Sequence, residues 1–600
     1  MIPARGHLLA MKFHLLMMAL LSSALCHSEE ANERVKTKIT DQEKVVIIPL
    51  PKEEPTVEPA ATDAAPEKFP TVEEAIPSPV KALAEPTMIE LPVGTTMAVT
   101  AISEKAQAHV NQGMFHLHGG WELEASRHFA AAMREDPDCL LAHWGMVMTL
   151  LTPSPETNSA REAATDRLLK LVDQGQATEL ERGYAYGLIQ YIQDGAIGAA
   201  DAFRKIAEKF PDDYQAGIFA ALFSRTGYDE LGSATPAQEE AEQRLLRIIE
   251  KNPQNPIPLH ALLSIRAEAP DLTQSVELAR KLCQMVPDYP PYFHLLGHYE
   301  WRTGEHAKAA AAFGHASTGY ERWMKNNQAG VADCPERVKS ECYRIVSMAS
   351  RGDFDTAFAA ARQIAASPFP ANRSASSGAR HLLWEAKTLP ARILLHRGLR
   401  GKAKDAANSL PRPEEITPTR ETSLAYLWID GLRLILEAHR LIDAAELDRA
   451  SEVITALVHH GETMSKAQAA ATASGERSPW TRSYRAFEVL ASDLRGRQTL
   501  AGPKERIGTA YNWFASAADR QHPASLMFPP LVLTPMAVRL GDYYLANQQP
   551  AEAIESYQRA LRAFPNDMNS LLGLKKAYEA AKLTDEATDT ERKIQELRTQ

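Results

Sequence analysis

The stretch PPYFHLLGHYEWRTG, residues 290–304, places His294 and His298 four positions apart. On a helix that interval is just over one turn, so both imidazoles leave the same face. Three kinds of chemistry fit the pair. It supplies two ligands to zinc or copper if a third donor stands near, and His260 or Glu268 would serve. It lines a groove as two ligand-contacting side chains. Or it packs as two satisfied histidines between helices. No His-Glu-x-x-His unites metal ligands with a general base, and no G-x-S-x-G, Walker A or G-x-G-x-x-G motif occurs, so enzymatic activity and a cofactor find no support. His116 and His118, two apart, diverge on a helix, as do the adjacent His459 and His460, and all four read as solvated or partly packed. Asp212-Asp213 after Pro211 reads as a helix cap rather than a carboxylate dyad.

The elements that hold these residues repeat. Counting Ala106 as position one, Gly113, Ala125, Phe129, Ala132 and Pro137 fall at positions 8, 20, 24, 27 and 32. This is the tetratricopeptide pattern. Small residues let two antiparallel helices approach, Phe fills the gap between them, and Pro stops the second helix. The frame recurs with Gly297, Ala309, Phe313 and Ala316 after Pro290. It recurs again with Gly187, Ala199, Phe203 and Pro211 near Leu180, and with Gly541, Ala553, Tyr557, Ala560 and Pro565 near Thr534. A degenerate copy occupies 256–289. The expected fold is all-α, a helical-hairpin solenoid, with a first array over 96–330 and a closing repeat with capping helices over 531–600. Residues 331–530 keep apolar spacing of three and four and read as irregular hairpins continuing the solenoid. Within them ATASGERSPW and RQHPASLMFPPLVLTP read as loops.

Residues 1–28 read as a secretory signal: Arg5 and Lys12 precede the short apolar run LLMMALL and the small residues SSALC. Met11 is a plausible start, and cleavage falls after Cys26 or Ser28. The apolar run is too short to span a bilayer. Leu25 before Cys26 fits a lipoprotein box poorly, so a lipid anchor at Cys26 is not favoured. Residues 29–95, rich in Pro, Glu and Ala, read as a disordered spacer. The net charge of −10 offers no basic field for nucleic acid. Cys139, Cys283, Cys334 and Cys342 form no C-x-x-C; all four fit small buried residues, and Cys334 with Cys342 could also pair as a disulfide in an exported protein.

Three segments carry a resemblance: HFAAAMREDPDCLLAHWGMVM, with Trp144 and Gly145; VPDYPPYFHLLGHYEWRTGEHAKA, with His294, His298 and the turn Arg302-Thr303-Gly304; and the closing repeat from FPPLVLTP onward. Together they resemble a family of exported bacterial tetratricopeptide proteins of largely unassigned function. The chain departs from that family at Ser264, four after His260, where a second histidine pair would be completed, and at Val538 and Asp567 in the closing repeat.

In such an array the first helix of each hairpin lines the concave surface. The residues placed there are Tyr184, Tyr191, His260, Glu268, His294, His298, Trp301 and Arg302. Aromatic and Arg side chains are frequent recognition anchors. The expected function is a non-enzymatic exported scaffold binding a protein or peptide partner in that groove. The alternatives are a metal-binding protein or metal-dependent enzyme using His294, His298 and His260, and a structural part of an envelope assembly. If His294 and His298 are groove residues, removing both should cost under about 1 kcal/mol.

Overall fold

A computed structural model describes residues 69–152, 154–174, 177–229, 232–399, 401–416, 424–470, 477–522 and 530–599. Among these the backbone is helical, with one isolated antiparallel bridge, Tyr228 to Ala234. The signal, Cys26 and the spacer over 29–68 lie outside the described residues.

The repeat frame has a steric basis. Phe129 wedges between the helices Glu104–His118, Glu122–Glu135 and Leu140–Thr149. A Cβ added to Gly113 would lie 2.7 Å from its ring, and one added to Gly145 only 2.2 Å. Tyr557 sits the same way between Gly541 and Gly573, at 2.7 and 2.2 Å. Phe313 on Gly297 and Phe203 on Gly187 repeat the contact at 2.6 and 2.7 Å. The hairpin near Leu180 turns at Gly195 (φ 72°, ψ −157°), in the left-handed region that glycine adopts without strain. The region 331–530 uses the same device at irregular spacing: Phe487 against Gly431 at 2.0 Å and Phe514 against Gly496 at 2.5 Å.

Three expectations shift. The folded body begins before residue 96, because Ala75, Ile76 and Val80 are buried in the first hairpin core. Glu73 pairs with Arg134, and Gly94 accepts a hydrogen bond from Asn255 Nδ2. The few apolar side chains of this proline-rich segment suffice to pack it, Val80 from the one-turn helix Ser78–Lys81. The loop expected over 471–480 is helical from its later part, since the helix Arg477–Leu500 starts inside it. Cys334 and Cys342 are separate buried thiols rather than a disulfide. Cys334 is the N-cap of the helix Pro335–Ser350 and Cys342 lies within it, so their Cα atoms are about 12 Å apart. A disulfide reaches about 7 Å.

Hairpins distant in sequence also meet. Trp121 stacks edge-on against Tyr320 and lies 5.5 Å from Trp323. Asn566 Nδ2 donates to the Gly304 carbonyl and Pro565 O bonds to His306 Nε2, each at 3.0 Å. Arg373 pairs with Glu156 at 3.1 Å. The array therefore coils back on itself, and this buries first-helix side chains that an open solenoid would present. No helix among the described residues is long and apolar enough to cross a membrane.

Candidate functional site

The helix Pro290–Arg302 opens on Pro290 and Pro291, where a missing N–H costs nothing. It carries His294 and His298 toward the helix Pro335–Ser350. Ser340 Oγ donates to the Glu336 carbonyl at 2.8 Å, which uses its one proton. It therefore accepts from His294 Nδ1 at 2.8 Å. That leaves His294 Nε2 as an acceptor, and His298 Nε2 donates to it at 3.2 Å. Both rings are thus neutral and already hydrogen-bonded to one another. Phe313 and Tyr343 wall them, with His298 edge-on to each at 5.1 and 4.9 Å. Burial, aided by Lys339, pushes His294 down to about 3. Burial, with His294, Arg302 and Lys339 beside it, holds His298 well below its usual value.

Lys339 is the centre of this region. Its ammonium acts on Glu122, Glu336, His294, His298 and His381. These come from four elements: the start of Glu122–Glu135, Pro290–Arg302, Pro335–Ser350 and the short helix Ser377–His381. Glu122 keeps solvent access along its side chain, yet the protein around it, then the charge of Glu336, pushes its carboxyl up to about 7. Glu336 is raised for the same first reason, and its Oε2 has no hydrogen-bond partner. Two carboxyls, Glu122 and Glu336, and the Lys339 ammonium thus lie within electrostatic reach of one another on sequence-distant helices. That set can bind a polar segment through both donors and acceptors.

The other sequence-derived site residues scatter. Tyr184 is fully buried and donates to Asp213 Oδ2 at 2.7 Å among Trp144, Phe203 and Phe219, so it is a core residue and not a groove residue. Tyr191 is buried against Phe223. Trp301 is buried too, its Nε1 donating to Ser350 Oγ at 3.2 Å, with Phe564 of the closing repeat edge-on to it. Arg302 and the exposed Glu268 pair at 3.6 Å nearer the surface. His260 turns to the backbone of His118 and the ring of Tyr292. Among the described residues, His294, His298 and His260 belong to no group of three converging metal donors. His116 and His118 do diverge, but both are buried, His118 on Gln215 Oε1 at 3.1 Å. His459 is exposed, and His460 Nε2 bonds to the Leu427 carbonyl at 2.7 Å.

Sequence reasoning missed Glu122, Glu336, Lys339 and His381. One signal was available: Glu336, Lys339, Ser340 and Tyr343 recur at three- and four-residue spacing on one helix face. Nothing local links that face to Glu122.

Residues 537–567 match the tetratricopeptide repeat family model. A comparison with curated proteins finds no match. Solved structures with similarity include the P58(IPK) TPR domain, at 15% identity over 80% of this chain and 99% of that one, TM-score 0.20. Yeast Tom70 is 11% identical over 81% and 90%, TM-score 0.26. The human IFIT1 dimer with PPP-AAAA is 12% identical over 74% and 87%, TM-score 0.30. Similarity at this level says nothing of what the present chain binds. The glycine–aromatic contacts and the family match make it a tetratricopeptide-type helical-hairpin array.

Proposed function

We propose that the protein is a non-enzymatic, exported scaffold that binds an extended segment of a protein or peptide partner on the surface around Lys339. The observation that carries this is the grouping of the exposed Glu122 with the half-buried Glu336 and Lys339, charged groups brought within electrostatic reach from sequence-distant hairpins. A peptide segment offers the N–H, C=O and charged groups that such a mixed surface complements. Packed helix pairs form a receptor ordered in advance, so little binding energy goes into ordering it. Export rests on the basic and apolar pattern of residues 1–28.

A photo-crosslinking amino acid at the exposed position of Ser377, on the helix that carries His381, in protein produced in its native host, tests the reading. One discrete adduct is expected, competed away by unlabelled wild-type protein and reduced at least tenfold by Glu122→Gln with Glu336→Gln. No adduct, or one indifferent to those changes, would overturn it. Export is tested by the N-terminal residue of the mature native protein, expected near 27–29. An intact Met1 or Met11 would contradict it.

A further inference from the structure

Away from Lys339, a second polar cluster lies wholly in the interior. His116 ends the helix Glu104–His118, and Glu124 and His128 sit one turn apart on Glu122–Glu135. The three are 2%, 5% and 0% exposed. One ligand-capable atom from each lies within 4.8 Å of the other two. Neither His116 Nε2 nor His128 Nε2 has a hydrogen-bond partner. A buried, unpaired polar atom is costly, and two side by side call for an explanation.

The remaining edges are tied down. His116 Nδ1 bonds to Tyr289 OH and His128 Nδ1 to His109 Nδ1, each at 3.2 Å. Glu124 Oε2 accepts from Trp323 Nε1 at 2.9 Å and from Arg127, which leaves Oε1 facing His128 Nε2 at 3.9 Å. Outer hydrogen bonds of this kind orient metal-ligating rings and select the tautomer whose free nitrogen points inward. We propose that His116, Glu124 and His128 form a binding site for an imidazole-coordinating transition-metal ion. Both imidazoles are buried, which favours the neutral form that a metal requires. Tetrahedral bonds near 2.0 Å set donors about 3.3 Å apart, so side-chain shifts of about 1 Å close the site. Arg127, beside Glu124, opposes a dication more than a monocation. Zn²⁺ and Cu⁺ are therefore the two candidates. The outer contacts reach Tyr289 and Trp323, so the ion would clamp the first hairpin onto a part of the array about two hundred residues away.

The test uses the full chain without an affinity tag, from cells supplied with zinc or with copper. The expected result is about one equivalent of one of these metals after gel filtration, with imidazole scattering in its X-ray absorption spectrum. Glu124→Gln should lower the content, His116→Gln with His128→Gln should abolish it, and His294→Ala with His298→Ala should leave it unchanged. Metal-free wild-type protein from both media would overturn the assignment. So would bound metal without imidazole scattering, a result that needs no variant to fold.

Discussion

His298 Nε2 and His294 Nε2 lie 3.2 Å apart, the last link of a chain running through Ser340 Oγ to the carbonyl of Glu336. His298 is 6% exposed and walled by Phe313 and Tyr343. The pair therefore belongs to a packing seam, which overturns the cost of under about 1 kcal/mol that a groove position implies. His298→Ala should destabilise by about 2–4 kcal/mol, from a cavity and an unmet acceptor on His294. The double alanine variant should fall short of additivity by about 1 kcal/mol, because the first change already breaks the shared bond. Urea unfolding of the four proteins measures both.

Acid should weaken the fold before most carboxylates titrate. His294, His396 and His439 are each pushed down to about 3, and His118, His143 and His306 to about 4, burial being the first cause throughout. The unfolded chain, with histidines near 6.5, binds more protons than the folded one between those values. Stability from these groups is complete above about pH 6.5 and lost as pH falls toward 3–4, by at most about 1.4 kcal/mol per group per pH unit. Glu122, raised to about 7, and Asp567, raised to about 6, act oppositely: their contribution is present in acid and lost as pH rises through those values. Glu336 and Asp213 are raised as well, yet the lowered histidines remain the more numerous among the described residues, so Tm should drop from pH 7 to pH 5. A flat profile by differential scanning calorimetry would contradict the buried, neutral assignment.

Gly145→Ala places a methyl 2.2 Å from the Phe129 ring. The neighbouring helices cannot part without losing the same contact at Gly113, so a loss of about 3 kcal/mol is expected. Phe129→Leu in the same chain should recover part of it, a compensation visible as a positive coupling in thermal melts.

Cys139, Cys283, Cys334 and Cys342 are buried free thiols. All four are held above the usual thiol range by burial, Cys139 and Cys283 to about 12. A thiol reagent should leave them unmodified in the native protein at pH 8 and label all four after unfolding. Reductant should leave Tm unchanged. A mass deficit of 2 Da before reduction would restore the Cys334–Cys342 bridge.

What the sequence determined by itself was the hairpin. Gly113 with Phe129, Gly297 with Phe313 and Gly541 with Tyr557 each lie 16 residues apart, a separation set by two helices and one turn. Local spacing encodes such a contact, so the fold class and the His294–His298 face were legible. Phe487 against Gly431 uses the same wedge 56 residues apart, where loop lengths hide the frame. The candidate sites depended on a different scale. Trp323 bonds to Glu124 across 199 positions, and Asn566 to Gly304 across 262. Only the coiling of the array decided those pairs, because each is a meeting of surfaces whose relative placement accumulates over every intervening hairpin. That coiling packed Phe564 on Trp301, set Tyr289 and Trp323 against the first hairpin and brought Glu122 to Lys339. No period in the chain records where a superhelix closes on itself.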